Sequence, residues 1–153
     1  MKKFILSLAV CLCAAFSAQA QNWTLGGRIS GGLQAQAEYH YSDANYVEGR
    51  LGLNALIEGM AADFTALHMW NVATMDWTPS AGQWFVDLGA GAGLGGNSNA
   101  LFAGVAGSAK LGIQFNNAPL RLALDWTPII GINGSKFYGL GCANLGISCV
   151  YCF

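Results

Sequence analysis

The fold is decided by one stretch of sequence, Leu120-Arg121-Leu122-Ala123-Leu124-Asp125-Trp126-Thr127-Pro128, in which apolar residues alternate with polar or small ones. Successive side chains of a β-strand point to opposite faces, so the leucines share one face and Arg121 and Asp125 share the other. Pro128 has no backbone N–H to donate, and it marks a bulge or the end of pairing. The stretch therefore predicts a strand with one apolar face and one charged face.

The same alternation recurs between turn signals along the chain, and no helical period of comparable strength competes with it. We predict eight strands of roughly nine to sixteen residues, the length that a tilted membrane-spanning strand needs. Their approximate ranges are Trp23–Ser30, Leu33–Tyr41, Tyr46–Ile57, Ala62–Val72, Trp84–Leu94, Leu101–Phe115, Leu120–Thr127 and Leu145–Phe153. Two segments are predicted to interrupt the strands: Thr74–Gly82, which contains Pro79, and a glycine-rich loop at Gly131–Gly141.

An even number of strands with both ends of the chain on one side is what a closed barrel requires. The pattern therefore predicts an all-β fold, an eight-stranded antiparallel up-and-down transmembrane barrel. Its loops at the far end would be short, and they lie around Gly31-Gly32, Glu58–Ala61, Gly95–Asn99 and Gly131–Gly141.

The beginning of the chain has the features of an export signal. Lys2 and Lys3 are followed by an uncharged apolar run, Phe4–Phe16, and Ala18-Gln19-Ala20 is a small-x-small cleavage site. We therefore predict that residues 1–20 are removed and that residues 21–153 form a single domain.

The composition is unusual for a small soluble globule. The chain is 54% hydrophobic and only 10% charged, whereas soluble domains average about a quarter charged residues. After residue 20, no segment approaches the ~18 consecutive apolar residues that a spanning helix requires. A barrel that turns one face of every strand to lipid accommodates such a composition. Of the seven basic residues, Lys2 and Lys3 belong to the export signal, so eight carboxylates outweigh the remainder and disfavour a nucleic-acid partner.

Aromatic residues gather at one end of the predicted barrel. With both termini on the periplasmic side, the alternating strand directions place eight of them near that end: Trp23, Tyr39, Tyr41, Trp70, Trp84, Phe115, Tyr151 and Phe153. Membrane barrels carry such a girdle at the membrane interface.

By these features the chain resembles small eight-stranded outer-membrane barrels of the OmpA-like or opacity-protein kind, and above all the uncharacterised members of Bacteroides-type bacteria. The resemblance spans residues 21–153 and is carried by the export signal, by Phe115–Pro128 and by Leu145–Phe153. The terminal Phe153 with Tyr151 before it resembles the sorting signal that the outer-membrane assembly machinery reads.

The resemblance implies a location in the outer membrane of a Gram-negative bacterium, with membrane lipid and the assembly machinery as partners. It also implies a structural or surface-recognition role without enzymatic chemistry. We expect no cofactor, no metal and a monomer, and the sequence does not identify an extracellular ligand.

Charged residues of both signs fall on the inward faces of the predicted strands. They are Arg28, Glu38, Glu48, Arg50, Asp87, Lys110, Arg121 and Asp125. A polar pore is one interpretation. We favour a network of ion pairs that fills the lumen, because eight strands leave room only for side chains and because buried charges must be paired.

Two short motifs resemble functional sites. Gly91-Ala92-Gly93-Leu94-Gly95-Gly96 matches G-x-G-x-x-G, but a dinucleotide site needs a helix to begin there, and a turn and a strand are predicted instead. Cys149-Val150-Tyr151-Cys152 matches C-x-x-C, yet positions three apart on a strand face opposite sides. We interpret the glycines as room for bulky lumen residues, and Cys142, Cys149 and Cys152 as isolated small residues.

His40 and His68 are the candidates for a general base. One alternative function is a lipid-modifying barrel enzyme, which would need a serine and an acid beside an outward-facing histidine, and no serine is predicted on the face of the strands next to His68. A second alternative is a soluble, lipocalin-like carrier, in which Leu120, Leu122 and Leu124 would point inward and the charges outward. We expect neither alternative.

Overall fold

The computed structural model describes residues 22–53, 62–96, 101–133, 136–140 and 144–153. The predicted export signal (residues 1–20), Cys142, the predicted loop Glu58–Ala61 and most of Gly95–Asn99 lie outside the described residues.

Within these ranges the chain forms ten antiparallel β-strands. They are β1 (Trp23–Ile29), β2 (Leu33–Ser42), β3 (Asn45–Leu53), β4 (Ala62–Thr78), β5 (Gly82–Gly96), β6 (Leu101–Phe115), β7 (Leu120–Trp126), β8 (Ile129–Asn133), β9 (Lys136–Leu140) and β10 (Leu145–Cys152). Each of β1 to β6 pairs with the strand that follows it in the chain. The described residues include no helix that is long and apolar enough to cross a membrane.

The sheet closes on itself, because β1 pairs with β10 as well as with β2. Residues 109–114 of β6 pair with β7, and residues 102–106 of β6 pair with β8. β7 and β8 together therefore form one wall strand. On the other side of that wall strand, β10 pairs with β7 and β9 pairs with β8, so β9 and β10 together form the next wall strand. Ten segments thus make eight wall strands, and the predicted closed eight-stranded antiparallel barrel is confirmed.

The break between β7 and β8 falls at Pro128, where the sequence predicts a bulge or an end of pairing. The Thr127 N–H donates to the Asn144 carbonyl oxygen at 3.0 Å, and the Gly107 N–H donates to the Pro128 carbonyl oxygen at 2.9 Å. The chain resumes pairing with β6 at Ile129, so the proline interrupts the strand without ending it.

The predicted glycine-rich loop at Gly131–Gly141 is wrong. Most of that segment belongs to the hairpin of β8 and β9. A Cβ atom at Gly131 would lie 2.1 Å from the Ala103 carbonyl oxygen, so glycine here permits two strands to approach closely and does not mark a loop.

The predicted break at Thr74–Gly82 is also largely wrong. β4 continues to Thr78 and β5 begins at Gly82, which leaves a turn of only three residues. The register between β4 and β5 shifts between Asn71 and Ala73 and again between Met75 and Thr78. These irregularities interrupt the alternation of apolar and polar side chains, but the backbone pairing continues. The sequence pattern therefore ends before the strand does.

Candidate functional site

The two faces of the wall differ sharply in chemistry, and β7 shows the difference most clearly. Leu122 and Leu124 are 41% and 54% exposed on the outside, whereas Arg121 and Asp125 are 8% and 1% exposed inside. A water-soluble carrier requires the opposite arrangement, so the lipocalin-like alternative is contradicted by this facing. The outside of the barrel is apolar and the inside holds the charges.

The interior charges form one continuous chain in which cations and anions alternate. Its order is Arg28, Asp125, Arg50, Glu48, Lys110, Glu38, Arg121 and Asp87. These are the residues that the sequence predicts for the lumen, and the structure brings all of them together in the interior.

At one end of this chain, two arginines share a carboxylate. Arg28 contacts Asp125 at 2.7 Å, and Arg50 Nη1 lies 3.5 Å from the same Oδ1 atom. Arg50 Nε also donates to Glu48 Oε1. Because Arg28 and Arg50 are fully desolvated, these carboxylates supply the compensation that buried guanidinium groups require.

Toward the other end, Lys110 bridges two carboxylates. Its Nζ atom bonds to Glu48 and lies 3.0 Å from Glu38 Oε1. Arg121 then contacts both Glu38 and Asp87, each at 3.1 Å. Since every link joins opposite charges, the chain is electrically balanced over its length.

Several neutral residues complete the network and were not predicted for it. The Tyr46 hydroxyl donates to Asp87 Oδ2 at 2.7 Å, and the Tyr46 ring lies within 5.5 Å of both Lys110 and Arg121. Thr127 accepts a hydrogen bond from Arg50 at 2.8 Å. The parity of β3 places Tyr46 on the face of Glu48 and Arg50, so alternation could have identified it.

Part of the lumen is filled by apolar side chains, which the sequence pattern does not predict. A buried cluster joins residues of β3, β4, β6 and β8: Tyr46, Leu67, Met69, Phe102, Ala106 and Ile129. Both faces of β4 carry apolar residues, so alternation alone could not show which set points inward. The lumen is therefore filled both by paired charges and by hydrophobic side chains.

The aromatic residues predicted to form a girdle lie at one end of the barrel. Turns and termini meet there: the Phe153 N–H donates to the Trp23 carbonyl at 3.3 Å, and the Cys152 N–H donates to the Pro119 carbonyl at 2.8 Å. Trp23 packs on Tyr39 with ring centroids 4.9 Å apart, and Tyr151 packs on Phe153 at 5.0 Å. We call this the aromatic end. Tyr41, Trp70, Trp84 and Phe115 lie there as well.

The two histidines occupy different faces of the wall. His40 lies inside at the aromatic end, with Nε2 3.2 Å from Glu38 and 3.3 Å from Arg121. His68 lies outside, where its Nε2 and the Tyr41 hydroxyl form a hydrogen bond. The hydrogen-bond partner of His68 is thus a phenol rather than a serine.

The two sequence motifs are built into strands. Gly91–Gly96 lies within β5, paired to β4 and β6 along its length, so its backbone amides belong to the sheet. Cys149 is exposed and Cys152 is half-buried on alternate sides of β10. Among the described residues, no group of three or more His, Cys, Asp or Glu side chains is placed to hold a metal ion.

Polar side chains also line a small cavity of about 140 Å³ inside the aromatic end. His40, Asp87 and Arg121 contribute to it, so it forms the mouth of the lumen at the Arg121–Asp87 end of the charge chain. Further from the aromatic end, the interior is occupied by side chains of the ion-paired residues and of the apolar cluster.

The barrel is similar in fold to the N-terminal β-barrel domain of OprF from Pseudomonas aeruginosa. The two superpose with a TM-score of 0.60 at 13% sequence identity, over 86% of this chain and 97% of that domain. No protein-family model matches the sequence, and a search of curated proteins finds no significant match. The likeness shows the fold.

Proposed function

We propose that the protein is an integral outer-membrane β-barrel with a structural or surface-recognition role and without enzymatic chemistry. The observation that carries the proposal is the facing of the wall, with apolar side chains outside and paired charges inside. Water on the outside would leave a wall of large hydrophobic side chains exposed, from Ile29 and Leu33 to Ile147, whereas lipid solvates it. The barrel domain of OprF shares the fold, which supports lipid as the surroundings of the outer wall.

The location is tested by separating membranes from soluble protein and by an unboiled gel. We expect the protein to remain with the outer membrane after alkaline extraction, and to run faster unboiled than boiled because the barrel resists detergent. A protein that stays soluble and migrates identically with and without boiling would overturn the proposal.

The proposed lumen is a packed interior, because alternating ion pairs and the buried side chains of Leu67, Met69 and Phe102 occupy it. An eight-stranded barrel has an interior just wide enough for side chains. We therefore expect liposomes that contain the protein to retain small sugars as well as empty liposomes do. Rapid sugar flux through the purified protein would contradict a filled lumen and favour a pore.

A further inference from the structure

The apolar outer face of the barrel differs in height around the wall. β1 contains 7 residues, whereas β5, which lies opposite β1 in the ring of eight wall strands, contains 15 residues. A strand that crosses the hydrocarbon of a bilayer at a tilt of about 45° needs roughly 9–11 residues. β1 is therefore too short for an ordinary bilayer, and β5 is longer than one requires.

Both strands begin at the same end of the barrel. Trp23 of β1 and Trp84 of β5 belong to the aromatic end, and in a membrane barrel aromatic residues mark the level of the lipid headgroups. The difference in length therefore appears at the other end, which we call the far end. At ~3.3 Å per residue and a tilt of about 40°, β1 rises only about 18 Å, less than the ~25 Å of a usual apolar band.

The turn from β1 to β2 fixes the polar boundary on the short side. Ile29 and Leu33 pair with each other at the far end of this hairpin, and each side chain is 67% exposed on the outer wall. The turn follows at once: the Ser30 N–H donates to the Gly32 carbonyl oxygen at 3.0 Å, and Ser30 Oγ donates to Asn144 Oδ1 at 3.1 Å. Because the backbone groups of a turn need polar surroundings, headgroups or water must reach the wall directly beyond Ile29.

On the opposite side, the outer face stays apolar well beyond that height. β5 and β6 remain paired as far as Gly96 and Leu101. The exposed outer side chains there include Leu94 at 54%, Val105 at 68% and Leu101 at 73%. The hydrocarbon of a level bilayer that covered these residues would also cover the polar turn between β1 and β2.

We propose that the barrel thins the leaflet at its far end beside β1 and β2, so that lipid headgroups descend to the β1–β2 turn. The partner of this surface is the bilayer itself, and the inference rests on the proposed outer-membrane location. Local thinning matches a short apolar wall at a modest cost in free energy. A tilt of the whole barrel fits less well, because it would lift the Trp23–Tyr39 pair out of the headgroups at the aromatic end.

Nitroxide labels at equal distances from the aromatic end test the thinning. Each label is attached to a single cysteine in a chain whose own cysteines are replaced by alanine, and the protein is reconstituted in dioleoyl phosphatidylcholine vesicles. Ile29 lies six residues beyond Trp23, and Ala90, exposed on β5, lies six residues beyond Trp84. We expect a water-soluble nickel chelate to relax the label at Ile29 several-fold more strongly than the label at Ala90. Equal relaxation would overturn the proposal, since a level bilayer immerses both positions equally.

A longer hairpin is the matched variant. Insertion of Thr-Val after Ile29 and of Val-Thr before Leu33 preserves the facing of every side chain and lengthens β1 and β2 by two residues each. The polar turn then moves outward, so nickel relaxation at Ile29 should fall toward that at Ala90. An unboiled gel verifies that each labelled variant folds. Unchanged relaxation at Ile29 in the folded variant would show that the short hairpin does not set the boundary, and the inference would fail.

A tilt of the barrel and a failure of the membrane location give results of their own. A label at Val47, which pairs with Tyr39 at the aromatic end, should also be relaxed by the nickel chelate. Loss of that relaxation would overturn thinning in favour of a tilt. Failure of the membrane location appears in the fractionation of the wild-type protein, before any label is compared.

Discussion

Lys110→Met is expected to destabilise the barrel by about 3–5 kcal/mol, because it leaves buried charge without compensation. The ammonium group of Lys110 lies between Glu38 and Glu48, whose side chains are almost fully buried. Glu38 would retain Arg121 and Glu48 would retain Arg50, but both carboxylates would lose their shared cation. The measurement is urea unfolding of the barrel in lipid vesicles, followed by tryptophan fluorescence and by the unboiled gel.

Two further variants make this result specific to the charge chain. Asp76→Asn removes a charge from an exposed position of β4 and should change the stability by less than about 0.5 kcal/mol. Combining Lys110→Met with Glu48→Gln should cost less than the two single changes together, because the partners are in direct contact. Independent, additive effects would show that the contact contributes nothing to stability.

Gly91→Val is expected to prevent the barrel from closing, with a cost of about 4 kcal/mol or more. A Cβ atom at Gly91 of β5 would lie 1.9 Å from the Ala66 carbonyl oxygen and 2.8 Å from Leu67 Cα. Both are backbone atoms of the paired strand, so the overlap is relieved only if the strand moves. We expect the fast-migrating, unboiled form to be lost on the gel.

The matched control is Gly49→Val, the same substitution in another wall strand. No heavy atom lies nearer than 4.0 Å to a Cβ at that position, and valine favours strand conformation. This variant should fold and migrate as wild type does. If the two variants behaved alike, the close approach of β4 and β5 at Gly91 would be wrong.

Much of the wall could be predicted from the sequence because each strand faces two different solvents. Where one face is charged and the other apolar, as in β7, alternation predicts both the strand and its orientation. Prediction failed where this contrast is absent. Leu67 and Met69 point inward among residues that are apolar on both faces, so nothing in the pattern marks them as lumen residues.

The errors in the loops have a related cause. The glycines from Gly131 onward indicate a loop by composition, whereas Gly131 permits β8 to approach β6 closely. The register shifts after Asn71 displaced the alternation by one residue, and a pattern that assumes a strict period of two then ends too early. Local alternation also does not predict hydrogen bonds between distant parts of the chain. One example is the bond from Arg28 Nη1 to Asn144 Oδ1, at 3.3 Å.

The central claim is that the outer face of the wall contacts lipid and the inner face does not. It is tested most directly by measuring which solvent reaches each face. Nitroxide labels at Leu122 and Leu124, in a chain whose cysteines are replaced by alanine, would be compared in lipid vesicles with a label at Thr74, which lines the mouth of the lumen. We predict that oxygen dissolved in the bilayer relaxes the labels at Leu122 and Leu124, and that a water-soluble nickel chelate relaxes the label at Thr74. If the nickel chelate instead reached Leu122 and Leu124 more readily than oxygen does, the leucine face would meet water and the transmembrane barrel would be contradicted.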